Sequence, residues 1–213
     1  MTRGIDVSEH QGDVDFSALP GAGVRFVYAK ATEGSSYVDS RFGRNWEAGH
    51  ASGIPMGAYH FFSFDSPGAT QAESFLSTAG EMGDADLVPA VDIEWYGDKE
   101  SNPPDVGAVQ SELHAFLDAV EAACGAKPII YVEAGLYDRY ILGEFEGYRI
   151  WVGSLYQPVI MSWGSRGDWA IWQYSNRGRI SGAGNMDGHV DMDVLADGIT
   201  VEDLTIGASR SRN

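Results

Sequence analysis

Short apolar runs rich in Val, Ile, Tyr and Phe recur along nearly the whole chain, and in its first part they alternate with helix-length segments. That alternation constrains the fold more than any other feature, because strand–helix–strand units build parallel sheets covered by helices. The runs predict strands over residues 4–7, 24–29, 56–62, 87–94, 128–132, 149–153, 169–174 and 190–194. Between them, residues 40–52 follow "YVDS", and "SPGATQAESFLSTAGEMG" at 66–83 has a Ser-Pro start and a Gly stop. The plainest helix spans 105–123, with Val109, Leu113, Phe116, Leu117, Val120 and Ala123 on one face. After about Tyr140 the connections become rich in Gly, Ser and Arg and carry no helical period. The expected fold is an α/β barrel of about eight strands, covered by helices on one side and helix-poor in its C-terminal part. A chain of 213 residues fits one such domain, set here at 1–207, with the small polar tail 208–213 expected to be flexible.

Hydrophobic residues make up 44% and charged residues 21%, enough for an ordered core. Fourteen basic against thirty-one acidic side chains give a net charge of −17, which repels phosphate backbones and anionic lipid. Nucleic acid and membrane are therefore not expected as partners, and a monomer is. No apolar stretch reaches the roughly 18 residues of a membrane span. The start, "MTRGIDVSEHQG", enters a strand at once and lacks the apolar stretch of a signal peptide. The single cysteine, Cys124, lies in the apolar run "AFLDAVEAACG" and reads as a buried, inert thiol.

In α/β barrels, functional groups gather at the carboxyl ends of strands and in the loops that follow. Here those positions are polar and aromatic. Asp6 lies late in the first strand, and Glu33 follows the second in "AKATEG". Tyr59 and His60 end the third, Asp92 and Glu94 the fourth, Tyr131 and Glu133 the fifth. Gln173 and Tyr174 end the seventh, and Asp191 and Asp193 lie in the eighth. Convergence from seven strands points to one site. Its centre is "LVPAVDIEWYG": an apolar strand ending Asp-x-Glu puts Asp92 and Glu94 on the same face, with Ile93 pointing away. Two carboxylates facing one apolar-walled pocket repel each other, so one keeps its proton near neutral pH. A protonated carboxyl beside an ionised one suits glycosidic cleavage, which needs an acid for the leaving oxygen and negative charge near the oxocarbenium-like centre.

These residues resemble the family 25 glycoside hydrolases, the lysozymes of the phage and actinobacterial muramidase type. The likeness runs through "GIDVSEHQGDVDF", "YAKATEG", "GAYHFF", "AVDIE", "IIYVEAG", "WQYS" and "VDMDV" in order, over nearly the whole chain. It implies a flattened barrel of eight strands and five helices, and hydrolysis of the glycan strand of bacterial peptidoglycan, at the cell wall or outside the cell. It implies Glu94 as general acid/base and Asp92 as the second carboxylate, holding the substrate acetamido group or the charge it develops. It implies Asp6 and Asp191 as two further pocket acids, and Tyr59 as an aromatic of the cleavage subsite. Glu33, Tyr131, Gln173 and Tyr174 are the other expected substrate contacts. Two departures stand out: Asp193 occupies the family's usual Asn position, and the sixth strand reads "WVGSLY" where relatives approach "WVA.Y".

Other readings compete. His60 and His189 could join Asp6, Asp92 and Asp191 around a metal, but no pair has the spacing of a zinc motif, so neither metal nor cofactor is expected. Among Trp95, Trp151, Trp163, Trp169 and Trp172, Trp163 is the best candidate for an exposed sugar platform, and Trp172 for the core. A chitinase-like glycosidase would want an acid where Ala90 stands. A barrel that binds wall glycan without cutting it is the reading from another class, and an intact Glu94 with its acidic neighbours argues against it.

Overall fold

The computed structural model describes residues 1–155, 158–159, 163–184 and 186–212. Among these residues nine strands form: β1 Arg3–Val7, β2 Val24–Glu33, β3 Tyr37–Val38, β4 Met56–Phe61, β5 Ala90–Ile93, β6 Ile129–Glu133, β7 Arg149–Gly153, β8 Ile171–Gly178 and β9 Val190–Leu195. Eight of them close into a barrel in the order β1-β9-β8-β7-β6-β5-β4-β2, the seam being the β1–β2 pair. The two-residue β3 is an antiparallel flap on the end of β2. Among the described residues there are five α-helices: α1 Phe42–Ser52, α2 Gly68–Ala79, α3 Val106–Cys124, the single turn α4 Ala134–Leu136 and α5 Ile206–Arg210. The expected barrel, helix-rich in its first part, is the one observed.

The longest helix starts and stops where its sequence provides for it. Asp105 accepts the Ala108 amide at 2.9 Å and opens α3. Val109, Leu113, Phe116, Leu117 and Val120 are buried along its inner face. At its far end Gly125 takes the left-handed conformation (φ 66°) that closes the helix.

The sheet is not parallel throughout. β9 runs antiparallel to both β8 and β1. Residues 179–189, which join β8 to β9, are too few to carry the helix that a parallel crossover needs, so the chain turns back as a hairpin. This reversal matters for the site, because it brings the start of β9 to the barrel end where the other strands finish.

Inside the barrel the alternation of strand faces sets Phe26 and Tyr28 of β2 against Gly4 of β1 and Gly57 of β4, their register partners. A Cβ on either glycine would lie 2.3 Å from the ring it faces, so the rings occupy space that only glycine leaves. Tyr28 meets Trp151 at 4.9 Å, and Trp151 meets Tyr131 edge-on at 5.3 Å. These large buried rings make a floor across the barrel. The residues one step further along each strand stand above that floor.

The expected boundary at 207/208 falls inside α5. Thr205 caps this helix, and Arg210 donates to the Cys124 carbonyl through Nε at 2.9 Å and Nη2 at 2.7 Å. A polar composition suggested a loose end, whereas these charge-assisted bonds hold the segment against the C-terminus of α3. Cys124 is buried beneath it.

Candidate active site

A cavity of about 360 Å³ opens above the aromatic floor. Asp6, Asp92, Glu94 and Asp191 all line it, as do Tyr59, Tyr131 and Gln173. The order of strands explains the gathering. Asp92 follows Ala90 on the inner face of β5, and Glu94 comes directly after the strand. Asp6 and Asp191 are direct register partners on the antiparallel β1–β9 pair. Asp191 thus reaches the site from the beginning of its strand, because that strand is inverted.

Two of the expected substrate contacts are not among the residues that line this cavity. Glu33 ends β2 and pairs with Lys30 at 2.7 Å, and it is Lys30 that reaches the cavity wall. Tyr174 stands on the opposite face of β8 from Gln173 and packs its ring edge-on to Trp172 at 5.7 Å. The tryptophan expectations invert. Trp163 is buried at 2% exposure, donates its N–H to the Gly167 carbonyl and lies 4.6 Å from Tyr137. Trp172 is only partly buried. His60 points out of the barrel: Thr32 Oγ1 meets its Nδ1 at 2.7 Å, Gln71 Oε1 meets Nε2 at 3.0 Å, and Phe116 stacks on the ring. Burial pushes its pKa down to about 4, so it is a neutral packing residue. Among the described residues no group of three or more His, Cys, Asp or Glu side chains has the geometry to hold a metal ion.

The cavity also contains Trp151, one of the tryptophans considered as sugar platforms, and residues that the sequence reading left aside: Ser8, His10, Lys30, Phe61 and Asn176. Lys30 was legible, since it continues the inner-face series Phe26, Tyr28, but the strand was expected to stop at 29. It lies 4.9 Å from the centre of the Phe61 ring, a cation–π contact inside an otherwise acidic wall.

Burial raises every acid here. Asp92 is held well above the ordinary carboxylate range by burial and then by the negative charge of Glu94, with Lys30 pulling the other way. Burial, and after it the neighbouring Glu133, raises Glu94, which lies beside Tyr131, whose hydroxyl donates to Gln173. Asp6 rises through burial and the charges of Asp191 and Asp193, although Gln173 Nε2–H donates to it at 2.8 Å. Asp191 is pushed up to about 6 by burial, offset by His10. No hydrogen-bond donor among the described residues reaches Oδ1 of Asp92, although that atom is buried.

These shifts predict how stability depends on pH. A carboxyl raised in the folded state binds its proton more readily than in the unfolded chain. Its stabilisation is complete below the unfolded carboxylate range and is lost as pH rises through the folded value, near 6 for Asp191. Carboxyls lowered by partners, such as Asp203 at about 2, act only at more acid pH. The melting temperature at pH 5 is therefore expected to exceed that at pH 8 by several degrees. Scanning calorimetry at the two pH values checks this, and a higher value at pH 8 would refute it.

The comparisons with known proteins agree with the geometry. The family model described as Glycosyl hydrolases family 25 matches residues 5–183. YegX of Escherichia coli K12 is 34% identical over 207 residues, covering 95% of this chain and 71% of that protein. Lysozyme M1 of Streptomyces globisporus is 32% identical over 201 residues, covering 87% and 66%. The structure of a family 25 glycosyl hydrolase from Bacillus anthracis superposes with a TM-score of 0.86 at 36% identity, covering 95% of this chain and 91% of that one. A match over most of the chain, in a closed barrel with its acids at one mouth, establishes that this protein belongs to the glycosyl hydrolases family 25 and is a glycoside hydrolase.

Proposed function

We propose that the protein is an N-acetylmuramidase that hydrolyses the β-1,4 bond between N-acetylmuramic acid and N-acetylglucosamine in peptidoglycan. The observation that carries the reading is the placement of Glu94 and Asp92 together in the cavity, from one strand end, both with raised pKa values. Glu94, partly buried and with its pKa raised, donates its proton to the glycosidic oxygen as the C1–O bond breaks. Asp92 offers its unpaired Oδ1 to the N–H of the 2-acetamido group. Held in this way, the acetamido carbonyl oxygen attacks C1 and forms an oxazolinium ion. Glu94, now a carboxylate, takes a proton from the water that opens this ion, and the configuration at C1 is retained. Tyr59 and Tyr131, kept neutral by burial, supply ring faces and hydroxyls to the sugar. The chain would act on the bacterial wall as a monomer, without metal or cofactor.

The test is product analysis. Purified peptidoglycan is digested, the new reducing ends are reduced with borohydride, and the reduced sugar is identified by mass spectrometry. Reduced muramic acid is expected, with the β-anomer first in the proton NMR spectrum of the digest. Reduced glucosamine would make the enzyme a glucosaminidase, and no new ends would leave a wall-binding barrel.

A further inference from the structure

One more acid lies beneath the site. Asp193 follows Asp191 by two residues on β9, so it faces the same interior one layer deeper, in register with Gly4 of β1 and Gln173 of β8. It has no solvent exposure. Trp151 Nε1–H donates to its Oδ1 at 3.0 Å. Its Oδ2 is buried, and among the described residues no N–H or neutral O–H donates to it. The group within hydrogen-bonding reach is the carboxyl of Asp6. Asp6 accepts Gln173 Nε2–H at 2.8 Å, and Gln173 Oε1 accepts the Tyr131 hydroxyl at 2.8 Å. Tyr131 in turn is within hydrogen-bonding reach of Glu94. A single run of polar groups thus leads from Asp193 to the acid of the site.

Two buried carboxyls in contact cannot both be ionised, and an anionic oxygen without a donor is costly to bury. The groups around Asp193 do not relieve this. Asp191 lies on its own strand, Asp6 comes from β1, Tyr28 from β2, Trp151 from β7 and Gln173 from β8, while Asp92 of β5 acts on Asp6. Arg149, two residues before Trp151, gives its guanidinium to the Asp203 carbonyl. One proton between the facing carboxyls satisfies both.

We propose that Asp193 is a positioning residue that shares a single proton with Asp6, so that the floor of the cavity carries one negative charge on two carboxyls and fixes Gln173 and Tyr131 beneath Glu94. A negatively charged Asp6 keeps the Gln173 amide turned with Nε2 toward it. Gln173 Oε1 then faces Tyr131 and accepts its hydroxyl hydrogen bond. The Tyr131 oxygen is left as an acceptor, which favours Glu94 with its own proton in place. The last step rests on Glu94 being the acid, whereas the shared proton does not.

The experiment pairs infrared spectroscopy with pH–rate profiles on the wild type, Asp193→Asn and Asp193→Leu. The asparagine keeps the shape and can donate Nδ2–H to Asp6. At pH 7 it should remove one protonated-carboxyl band that the wild type shows. An unchanged band count overturns the shared proton. The leucine removes the donor, so Asp6 must take up a proton of its own, Gln173 is released and Tyr131 can turn to an ionised Glu94. The basic limb of kcat/KM then moves to lower pH by at least about half a unit, and asparagine brings it back toward the wild-type position. A basic limb that stays put in the leucine variant, or moves equally in both, overturns the positioning role. Loss of the infrared band in a protein whose wild type cuts no peptidoglycan would support the shared proton while refuting the reading of Glu94.

Discussion

Glu94→Gln is expected to lower kcat on peptidoglycan by about 10³-fold, within the range that a positioned general acid supplies, with little change in KM. Glutamine keeps the length and planar shape of the side chain, so the cavity wall and the contact with Tyr131 survive. What is lost is the proton for the leaving oxygen and the base for the returning water, two steps that bind no ground state. The same change removes a partly buried acid that sits near Glu133 and Asp191. The variant should therefore melt no lower than the wild type at pH 7 and higher at pH 8, where more of these groups are ionised. Counting reducing ends against time gives kcat, and circular dichroism gives the melt. A variant that stays within tenfold of the wild type would remove Glu94 from the acid's role, and an unfolded one would show that the residue holds the barrel together.

Much of this site could be read from the chain because strand periodicity is a short-range property. In "LVPAVDIEW" the alternation alone puts Asp92 inside the barrel and Ile93 under the helices, where it is fully buried. Asp6 and Gln173 follow by the same rule. What could not be read depends on long-range register. Tyr174 sits one residue from Gln173, and a one-residue step changes the face of a strand, so treating both as site residues was bound to misplace one. Asp191 was expected at a strand that ends at the site; it comes from one that begins there, since the direction of β9 is set by a hairpin with no periodic signal. Trp163 looked exposed because its neighbours are Gly and Ser, but its indole is buried against Tyr137, 26 residues earlier. Segment composition reports average exposure and carries nothing about such a partner. Arg210 is the same case: a polar tail becomes part of the fold through the Cys124 carbonyl at the end of α3 and the Asp84 carboxylate.

Asp92→Asn is expected to lower kcat by about 10²-fold or more, and the choice of substrate decides why. Asp92 is partly buried, and its Oδ1, which is buried, is an oxygen that no donor of the described residues reaches. A buried acceptor left open costs about 1–3 kcal/mol, a cost that a substrate N–H would offset. If that N–H belongs to the 2-acetamido group, the carboxylate aligns the acetamido carbonyl on C1 and stabilises the positive charge that grows on its nitrogen. Asparagine supplies neither the charge nor an unambiguous acceptor. Glycan strands with the acetamido groups removed have no carbonyl to attack, so on them the wild type should fall close to the rate of the variant, and Asp92→Asn should cost little more. The two changes would then be strongly non-additive, as expected of groups that act on one another. Equal losses from Asp92→Asn on both substrates would separate the residue from the acetamido group. Asp92 would then act on the oxocarbenium charge directly or on an attacking water, and inversion at C1 would become the mechanism to test.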